Sequence, residues 1–244
     1  HSDADDTAIP GNDDRSGWHR ELGHLAVSHR KAVVVQSTVG TPQHLMKGLQ
    51  EGMRATQPAF FYILSPRDTP HLNDPFLWAG AALESREFPV FTYDPQKGEQ
   101  WGSRFDIETN PAPTEDWPRY ELTISDGSDQ ATPLALAFTF ADFAAQDASY
   151  LDQFFLVPPG YWREEMISLS EYLKLSLQDS YSHIPFIWMV DKESQLQKVM
   201  ISRALVIACQ ERLDYWHVLQ DLGGTNNYHA DRAAQKAREE ALRE

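Results

Sequence analysis

Three histidines near the amino end of the chain recur at a regular interval, and histidine is a common metal ligand. His19, His24 and His29 are each five residues apart. On a helix, this spacing turns successive side chains onto different faces, so the three imidazoles would not converge on one ion. The pattern therefore argues against a metal centre, and we expect none in this chain.

The other groups with chemical potential have structural interpretations. Asp142, Asp147 and Asp152 also recur every five residues and are expected to be charges on a helix surface. Cys209, the only cysteine, lies in a helical pattern and is expected to be a small buried side chain. Without a second cysteine, the chain can form neither an internal disulfide nor a cysteine metal cage. The chain also has no Walker loop, dinucleotide fingerprint, nucleophile elbow or zinc-protease motif.

The run from Lys31 to Pro66 predicts a complete strand–helix–strand unit. Ala32 to Gln36 is short, apolar and β-branched, which is typical of a strand buried on both faces, and Ala59 to Leu64 predicts a second buried strand. Between them, a threonine–proline pair predicts the start of a helix over Pro42–Ala55. A crossover of this length joins parallel strands.

The apolar residues of this helix are expected in the core, and they are Leu45, Met46, Leu49 and Met53. In open parallel sheets, ligands bind at the carboxyl ends of the strands. The loops after Gln36 and after Leu64 are therefore the first candidates for a binding site. His71 lies in the second loop, where a ligand contact is one interpretation and a backbone-bonded loop histidine the more ordinary one.

The composition restricts the partners of the chain. It has 244 residues, 41% of them hydrophobic, and a formal net charge of −15. That charge disfavours nonspecific binding to nucleic acid or anionic lipid, and no stretch is apolar enough to span a bilayer. Because the amino end is acidic, we expect no secretory signal and a soluble cytoplasmic protein. The first residue is His1, which fits a fragment or a processed chain.

Further elements follow from local patterns. A helix is predicted over Phe76–Arg86 and an edge strand over Phe88–Tyr93, and the polar, proline-rich run Asp94–Pro118 is expected to be a surface excursion. Farther on, the patterns predict a short strand at Leu122 and Ile124, an alanine-rich helix from Thr132 to about Phe155, a helix over Trp162–Leu173, a hairpin of Phe186–Val190 with Leu196–Ile201, a long helix over Arg203–Leu222 and a charged terminal helix from Tyr228.

These elements predict an α/β fold. The expected divisions are an α/β domain over residues 1–95, a linker over 96–118 and a smaller α+β extension over 119–244. On the residues alone, the prediction goes no further than such a domain pair.

Several strings resemble one family in order along the chain. They are Arg20-Glu21-Leu22-Gly23, Val33 to Ser37, His44 to Gly48 with Gly52, Gln57-Pro58-Ala59-Phe60-Phe61, and Ala82 to Pro95. They are similar to the carboxyl-terminal thiamine-diphosphate domain of 2-oxoacid:ferredoxin oxidoreductases, the pyruvate:ferredoxin oxidoreductase family. The segment after Trp117-Pro118 resembles an extension of one branch of that family more weakly.

The resemblance implies an oxidoreductase that decarboxylates a 2-oxoacid such as pyruvate and forms an acyl-coenzyme A. In that family, thiamine diphosphate with Mg²⁺ performs the carbon chemistry and iron–sulfur clusters pass electrons to ferredoxin or flavodoxin. The family's Gly-Asp-Gly diphosphate motif has no counterpart here, so this chain would be the second half of such a domain. It would work with upstream polypeptide or a partner subunit, in a homodimeric parent, and bind no thiamine diphosphate alone.

One position departs from the family pattern. Where related enzymes have a cluster-ligating cysteine after the second strand, this chain has Arg67, whose guanidinium cannot ligate iron and would suit an anion. His71 keeps its place in the same loop. The resemblance thus implies cofactor-binding positions at Gln36, Ser37, Arg67 and His71, and names no catalytic residue.

Two other functions stay open beside this one. The loss of the cysteine favours a noncatalytic homologue domain that acts as a scaffold or dimerisation module. An unrelated α/β interaction domain is a third interpretation, which the ordered matches disfavour.

Overall fold

A computed structural model describes residues 21–65, 74–125 and 131–242. Within these ranges the chain has helices and three sheets, two of which contain both parallel and antiparallel strands, so the mixed α/β class is confirmed. The helices are α1 Leu22–Ser28, α2 Pro42–Arg54, α3 Pro75–Glu84, α4 Trp101–Arg104, α5 Phe140–Ala144, α6 Leu169–Tyr172, α7 Leu177–Ser180, α8 Arg203–Gly223 and α9 Tyr228–Ala241. The strands are β1 Val33–Thr38, β2 Ala59–Leu64, β3 Phe91–Tyr93, β4 Phe105–Asp106, β5 Arg119–Ser125, β6 Ala131–Ala137, β7 Phe154–Val157, β8 Met166–Ser168, β9 Ile184–Val190 and β10 Leu196–Ile201.

The predicted strand–helix–strand unit is confirmed in its topology. β1 and β2 are adjacent parallel strands, in register from Val33 opposite Ala59 to Thr38 opposite Leu64, and α2 joins them. All six residues of β1 are buried. β2 is an edge strand in the described part of the chain, with Phe60 and Ile63 exposed, so the prediction of a second buried strand is wrong.

Helix α2 packs on the sheet through glycines instead of its large apolar residues. A Cβ atom at Gly48 would lie 2.5 Å from a methyl group of Val35, and one at Gly52 would lie 2.5 Å from Cζ of Phe61. Met46 and Met53 are exposed, and Leu45 and Leu49 are only half-buried, so their prediction as core is wrong. Absence of a side chain lets the helix approach β1 closely, which turns the long residues away.

The third strand differs from its predicted place. β3 lies between β1 and β4 and is antiparallel to both, so it is not an edge strand, and the first sheet is mixed. Phe91 and Tyr93 are fully buried. The segment from Phe88, in which apolar and polar residues alternate, is predicted to lie at the edge of the sheet. It lies inside the sheet because β4, which is only two residues long, pairs with the edge of β3 that faces away from β1.

Part of the expected surface excursion is buried. Ile107, Asn110 and Trp117 are each almost inaccessible, and the amide of Asn110 exchanges hydrogen bonds with the backbone of Val90. One core cluster contains residues from both sides of the predicted linker, from Val27 to Leu219. The prediction of a surface excursion is therefore wrong for these residues, whereas the division into domains stays a prediction.

The alanine-rich segment after residue 130 is not one long helix. β6 pairs with β5 in an antiparallel hairpin, and a short α5, a 3₁₀ helix at Ala148–Gln153 and β7 follow. The predicted helix over Trp162–Leu173 is likewise wrong, because β8 and only one turn of α6 occupy it. In both places strand pairing outweighs local helix propensity, with the preceding strand for β6 and with the more distant β9 for β8.

The last third of the chain confirms several predictions. β9 and β10 form the expected antiparallel hairpin within a sheet ordered β7-β10-β9-β8. Helix α8 ends at Gly223 and is capped by Gly224, whose φ of 72° is the left-handed conformation that glycine favours at a helix end. Helix α9 buries no residue, as its charged sequence predicts.

Residue Arg86 joins the two halves of the chain. Its fully buried guanidinium donates hydrogen bonds to the carbonyl oxygens of Ala112, Glu115 and Asp116 and stacks 3.9 Å from the ring centroid of Trp216 in α8. Burial lowers the pKa of Arg86 to about 9, which still leaves the guanidinium charged at neutral pH.

In the described parts of the chain, no helix combines the length and the apolar character that a membrane crossing requires.

A substitution at Gly48 tests the close approach of α2 to β1. We expect Gly48→Ala to lower the free energy of unfolding by about 1–3 kcal/mol, because the new methyl group overlaps the stiff, buried side chain of Val35. Gly80, in the middle of α3, is the matched control: a Cβ there meets no atom within 4 Å, so Gly80→Ala should stabilise by about 0.5–1 kcal/mol. Urea denaturation measures both, and a Gly48→Ala midpoint at or above wild type would contradict the packing.

A second substitution tests Arg86. Lysine cannot reproduce the fork of donors or the flat stack, so Arg86→Lys should cost about 3 kcal/mol of unfolding free energy through unpaired carbonyl groups. The control is Arg163→Lys, at an exposed position, for which we expect a change within about 0.5 kcal/mol. Equal urea midpoints for the two variants would show that Arg86 does not join the halves.

Candidate functional site

The carboxyl end of β1 carries the predicted site residue Ser37 and an unpredicted partner. Ser37 Oγ lies 2.9 Å from Nδ1 of His44, which stands in the first turns of α2. The pair forms because the strand turns at Gly40 into a helix that begins with Pro42, so α2 returns directly over the strand end. Ser37 is completely buried, and His44 is half-buried.

The imidazole of His44 is set up to be neutral. Burial lowers the pKa of His44 below its usual value, an effect that Lys47 reinforces and that the nearby Asp106 and Glu51 oppose. A neutral imidazole can accept a proton or a hydrogen bond at one nitrogen and donate at the other. Among the described residues, no hydrogen bond joins Nε2 of His44, so this nitrogen is the group at the strand end that a ligand could use.

The Ser37–His44 pair has the composition of a nucleophile and its base, but not the access. Ser37 lies within β1 with no exposed surface, so a substrate carbonyl cannot reach its hydroxyl oxygen. The pair is therefore a structural link between β1 and α2. The sequence could have indicated this pair. Ser37 lies at the end of a predicted strand, and His44, seven residues later, lies at the start of the helix that follows it.

Gln36, another predicted cofactor-binding residue, is also engaged inside the fold. Its Nε2 donates a 2.7 Å hydrogen bond to the carbonyl oxygen of Pro89, and its Oε1 is buried with no partner among the described residues. Gly23 of α1 lies against that oxygen so closely that any side chain there would overlap it. Gln36 thus holds α1 and the segment before β3 together.

The structure brings together only part of the predicted site. Gln36 and Ser37 are neighbours in β1, and their assignment as cofactor-binding residues stays a prediction. Arg67 and His71 lie outside the described residues, as does His19.

Among the residues described, no three histidine, cysteine, aspartate or glutamate side chains are grouped as a metal site would need. His24 lies in α1 with its ring 6.1 Å from that of Tyr215, whereas His29 follows the helix and is exposed. The two histidines are thus separated, and Tyr215 packs against the first.

A second candidate site is a small cavity of about 50 Å³ beside β9. Its lining includes Ala135 and Ala137 of β6 and Trp188 of β9. Asp142 contributes the only carboxylate of this cavity, and one of its oxygens accepts hydrogen bonds from the backbone N–H and the hydroxyl of Thr139. This reciprocal cap begins α5.

The three aspartates spaced by five do not share a surface. Asp142 as a residue is half-buried, but its carboxylate lies inside the fold, where burial raises its pKa to about 6, so its prediction as a surface charge is wrong. Asp147 caps the following 3₁₀ helix and Asp152 is exposed. The signature Thr139-x-x-Asp142 is a capping box, which the sequence search could have recognised.

The interpretation of Cys209 as a buried apolar residue is confirmed. It has no exposed surface, and burial raises the pKa of its thiol to about 12. The thiolate that nucleophilic chemistry requires is therefore not populated at neutral pH.

Comparisons with known proteins identify no relative: no protein-family model matches the chain, and neither a curated protein nor a solved structure is detectably similar to it.

The enclosed carboxylate of Asp142 should make stability depend on pH. Because its folded pKa of about 6 exceeds the ordinary value of 3.8, its favourable contribution is complete below pH 3.8 and is lost as pH rises through about 6. We expect the difference in unfolding free energy between wild type and Asp142→Asn to fall over this window, since asparagine keeps the acceptor but cannot ionise. Urea unfolding across the window measures this, and parallel profiles of the two proteins would contradict it.

Proposed function

We propose that this chain is the carboxyl-terminal portion of a 2-oxoacid:ferredoxin or flavodoxin oxidoreductase. In this proposal, β1, α2 and β2 belong to the second half of a thiamine-diphosphate-type α/β domain, and the chain from residue 119 onward is its extension. The whole enzyme would convert a 2-oxoacid such as pyruvate to an acyl-coenzyme A and pass electrons through iron–sulfur clusters.

The observation that carries the proposal is a stripe on α2. His44, Gly48 and Gly52 are the positions through which the chain resembles the family, and they recur every four residues on the sheet-facing side of the helix. Each has a packing role: His44 bonds to Ser37, Gly48 contacts Val35 and Gly52 contacts Phe61. The three matching positions therefore serve one geometric requirement, which is the close packing of α2 on the two parallel strands β1 and β2.

The described residues do not fit a diphosphate–magnesium site. They offer no group of three acidic or imidazole ligands, and the backbone turn after β1 is occupied by the link from Ser37 to His44. Within the enzyme, thiamine diphosphate would be held elsewhere and supply the carbanion chemistry. The role of this chain would be to support that domain, with Gln36 and Ser37 holding its strand in place and Nε2 of His44 free for a polar contact.

The second candidate, a noncatalytic scaffold or dimerisation module, has its own support. Gln36 and Ser37 are buried and engaged, as in a part that no longer serves a cofactor. The edge strand β2 also exposes Phe60 and Ile63, which is the kind of surface through which a sheet associates. Arg67 at the cysteine position favours this candidate as well.

The decisive experiment uses the whole natural polypeptide, purified without oxygen through a tag at its carboxyl end. We expect bound thiamine diphosphate, iron, and reduction of methyl viologen that requires both coenzyme A and a 2-oxoacid from a panel that includes pyruvate. The separate 244-residue chain is the control, and calorimetry should detect no binding of thiamine diphosphate with Mg²⁺ tighter than about micromolar.

The two candidates predict opposite results. A whole protein that contains no thiamine diphosphate and shows no 2-oxoacid-dependent reduction would overturn the proposal, and a stable dimer in that preparation would establish the scaffold. In the active case, Arg67→Cys should change the iron content or the cluster's paramagnetic signal. An unchanged four-cysteine cluster with Arg67 present would show that the loop was wrongly assigned.

A further inference from the structure

The sheet β7-β10-β9-β8 has one face in the main core and one outside it. Ile187, Val199 and Ile201 alternate along β9 and β10 and pack into the large core cluster. The residues between them point to the opposite face, because successive side chains of a strand alternate. On that outer face lie Phe186 and Trp188 of β9, with Lys198 of β10 directly opposite Trp188.

Three aromatic rings lie on this outer face, and the ring of Trp188 is nearly perpendicular to each of the other two. The rings of Phe186 and Trp188 have centroids 5.2 Å apart at 90°, and those of Trp188 and Trp162 are 5.7 Å apart at 82°. Trp162 is held in place because its indole N–H donates a 2.9 Å hydrogen bond to the carbonyl oxygen of Val157 in β7. We call Trp162, Phe186 and Trp188 the aromatic box.

An ammonium group occupies the aromatic box. Nζ of Lys198 lies 4.3 Å from the ring centroid of Phe186, 5.3 Å from that of Trp162 and 5.4 Å from that of Trp188. All three distances are within the range of cation–π attraction, which is about 6 Å. Within the described part of the chain, the half-buried Lys198 forms no ion pair and donates no side-chain hydrogen bond, so the rings are the groups of the protein that attract this charge.

A primary ammonium is not the cation that suits such a site best. It carries three N–H donors and is strongly hydrated, and the rings, with the apolar Val157, Met166 and Met200 of the same cluster, offer these donors no hydrogen-bond acceptor. A trimethylammonium group has no donor to satisfy, and its methyl groups contact ring faces on several sides, which is how quaternary ammonium ligands are recognised elsewhere. The net charge of −15 also raises the local concentration of small cations.

We propose that the aromatic box is a binding site for a quaternary methylammonium group, in which Lys198 is a displaceable internal occupant. The ligand class is a small molecule with a trimethylammonium head, and it binds when the side chain of Lys198 swings out into solvent. Because the ligand must displace this side chain, its apparent affinity is reduced, and Lys198 raises the ligand concentration at which the site is half-occupied. The proposal does not depend on the oxidoreductase assignment.

The alternative is that the rings only cover the sheet and that the stem of Lys198 completes this packing. The two cases differ in one respect. An apolar surface that only covers the sheet would bind any apolar group of suitable size, whether charged or neutral. The aromatic box would bind a cation in preference to a neutral group of the same shape.

Choline is the probe, and its neutral isostere 3,3-dimethyl-1-butanol is the matched control ligand. Binding is followed by the indole N–H signals of Trp162 and Trp188 in ¹H–¹⁵N spectra, assigned through single Trp→Phe variants. We expect wild type to bind choline weakly, Lys198→Ala to bind it at least tenfold more tightly, and the isostere to bind neither protein at comparable concentrations.

The control variant Lys192→Ala removes the same charge from the exposed turn between β9 and β10 without emptying the box, so it should bind choline as wild type does. Trp188→Leu in the Lys198→Ala background should abolish binding. If Lys198→Ala folds poorly, Lys198→Thr keeps a residue that favours strands. No saturable shift in a folded Lys198 variant, or equal binding of choline and the isostere, would overturn the proposal.

Discussion

The stack of Arg86 on Trp216 is the interaction on which the rest of the structure depends. A guanidinium with no exposed surface needs acceptors for its donors, and here the carbonyl groups of Ala112, Glu115 and Asp116 accept from Nε and Nη2, whereas Nη1 has no hydrogen-bond partner among the described residues. The next residue, Glu87, accepts a 2.6 Å bond from Arg212, which lies one turn before Trp216 in α8. These contacts form only when the end of α3, the loop of residues 112–116 and helix α8 are all in place. The parts of the chain before and after residue 100 therefore pack together in one core.

That constraint explains which elements the sequence predicts and which it does not. Local punctuation is sufficient for β1–α2–β2, for the β9–β10 hairpin and for the glycine end of α8, because each is determined within a few residues. It fails for β6, although its partner β5 is the preceding strand of the chain, because the alanine-rich sequence favours a helix and conceals the hairpin. It fails for β8, whose partner β9 lies farther along the chain. In both places strand pairing outweighs a helix preference of about 1 kcal/mol per residue or less.

The candidate site was predictable in position but not in chemistry. Parallel strands joined by a helix locate Ser37 at a strand end, yet nothing in the letters shows that its hydroxyl is buried and bonded to His44. The core face of α2 was misassigned for a related reason. Hydrophobicity identifies large apolar residues, whereas contact at Gly48 and Gly52 depends on the absence of a side chain. The enclosure of Asp142 and the aromatic box likewise arise from segments distant in sequence.

The same feature that supports the proposed enzyme also limits what this chain can contribute to it. A neutral imidazole bonded to a serine would be read as a catalytic pair if the serine were accessible, but a hydroxyl inside β1 can only position the helix above it. In the proposed enzyme, the groups that act on a 2-oxoacid would have to meet the outer side of this strand end, where Nε2 of His44 is the remaining polar atom of the pair. The enzyme and the scaffold therefore share this geometry, and what separates them is whether another part of the protein brings a cofactor to that imidazole.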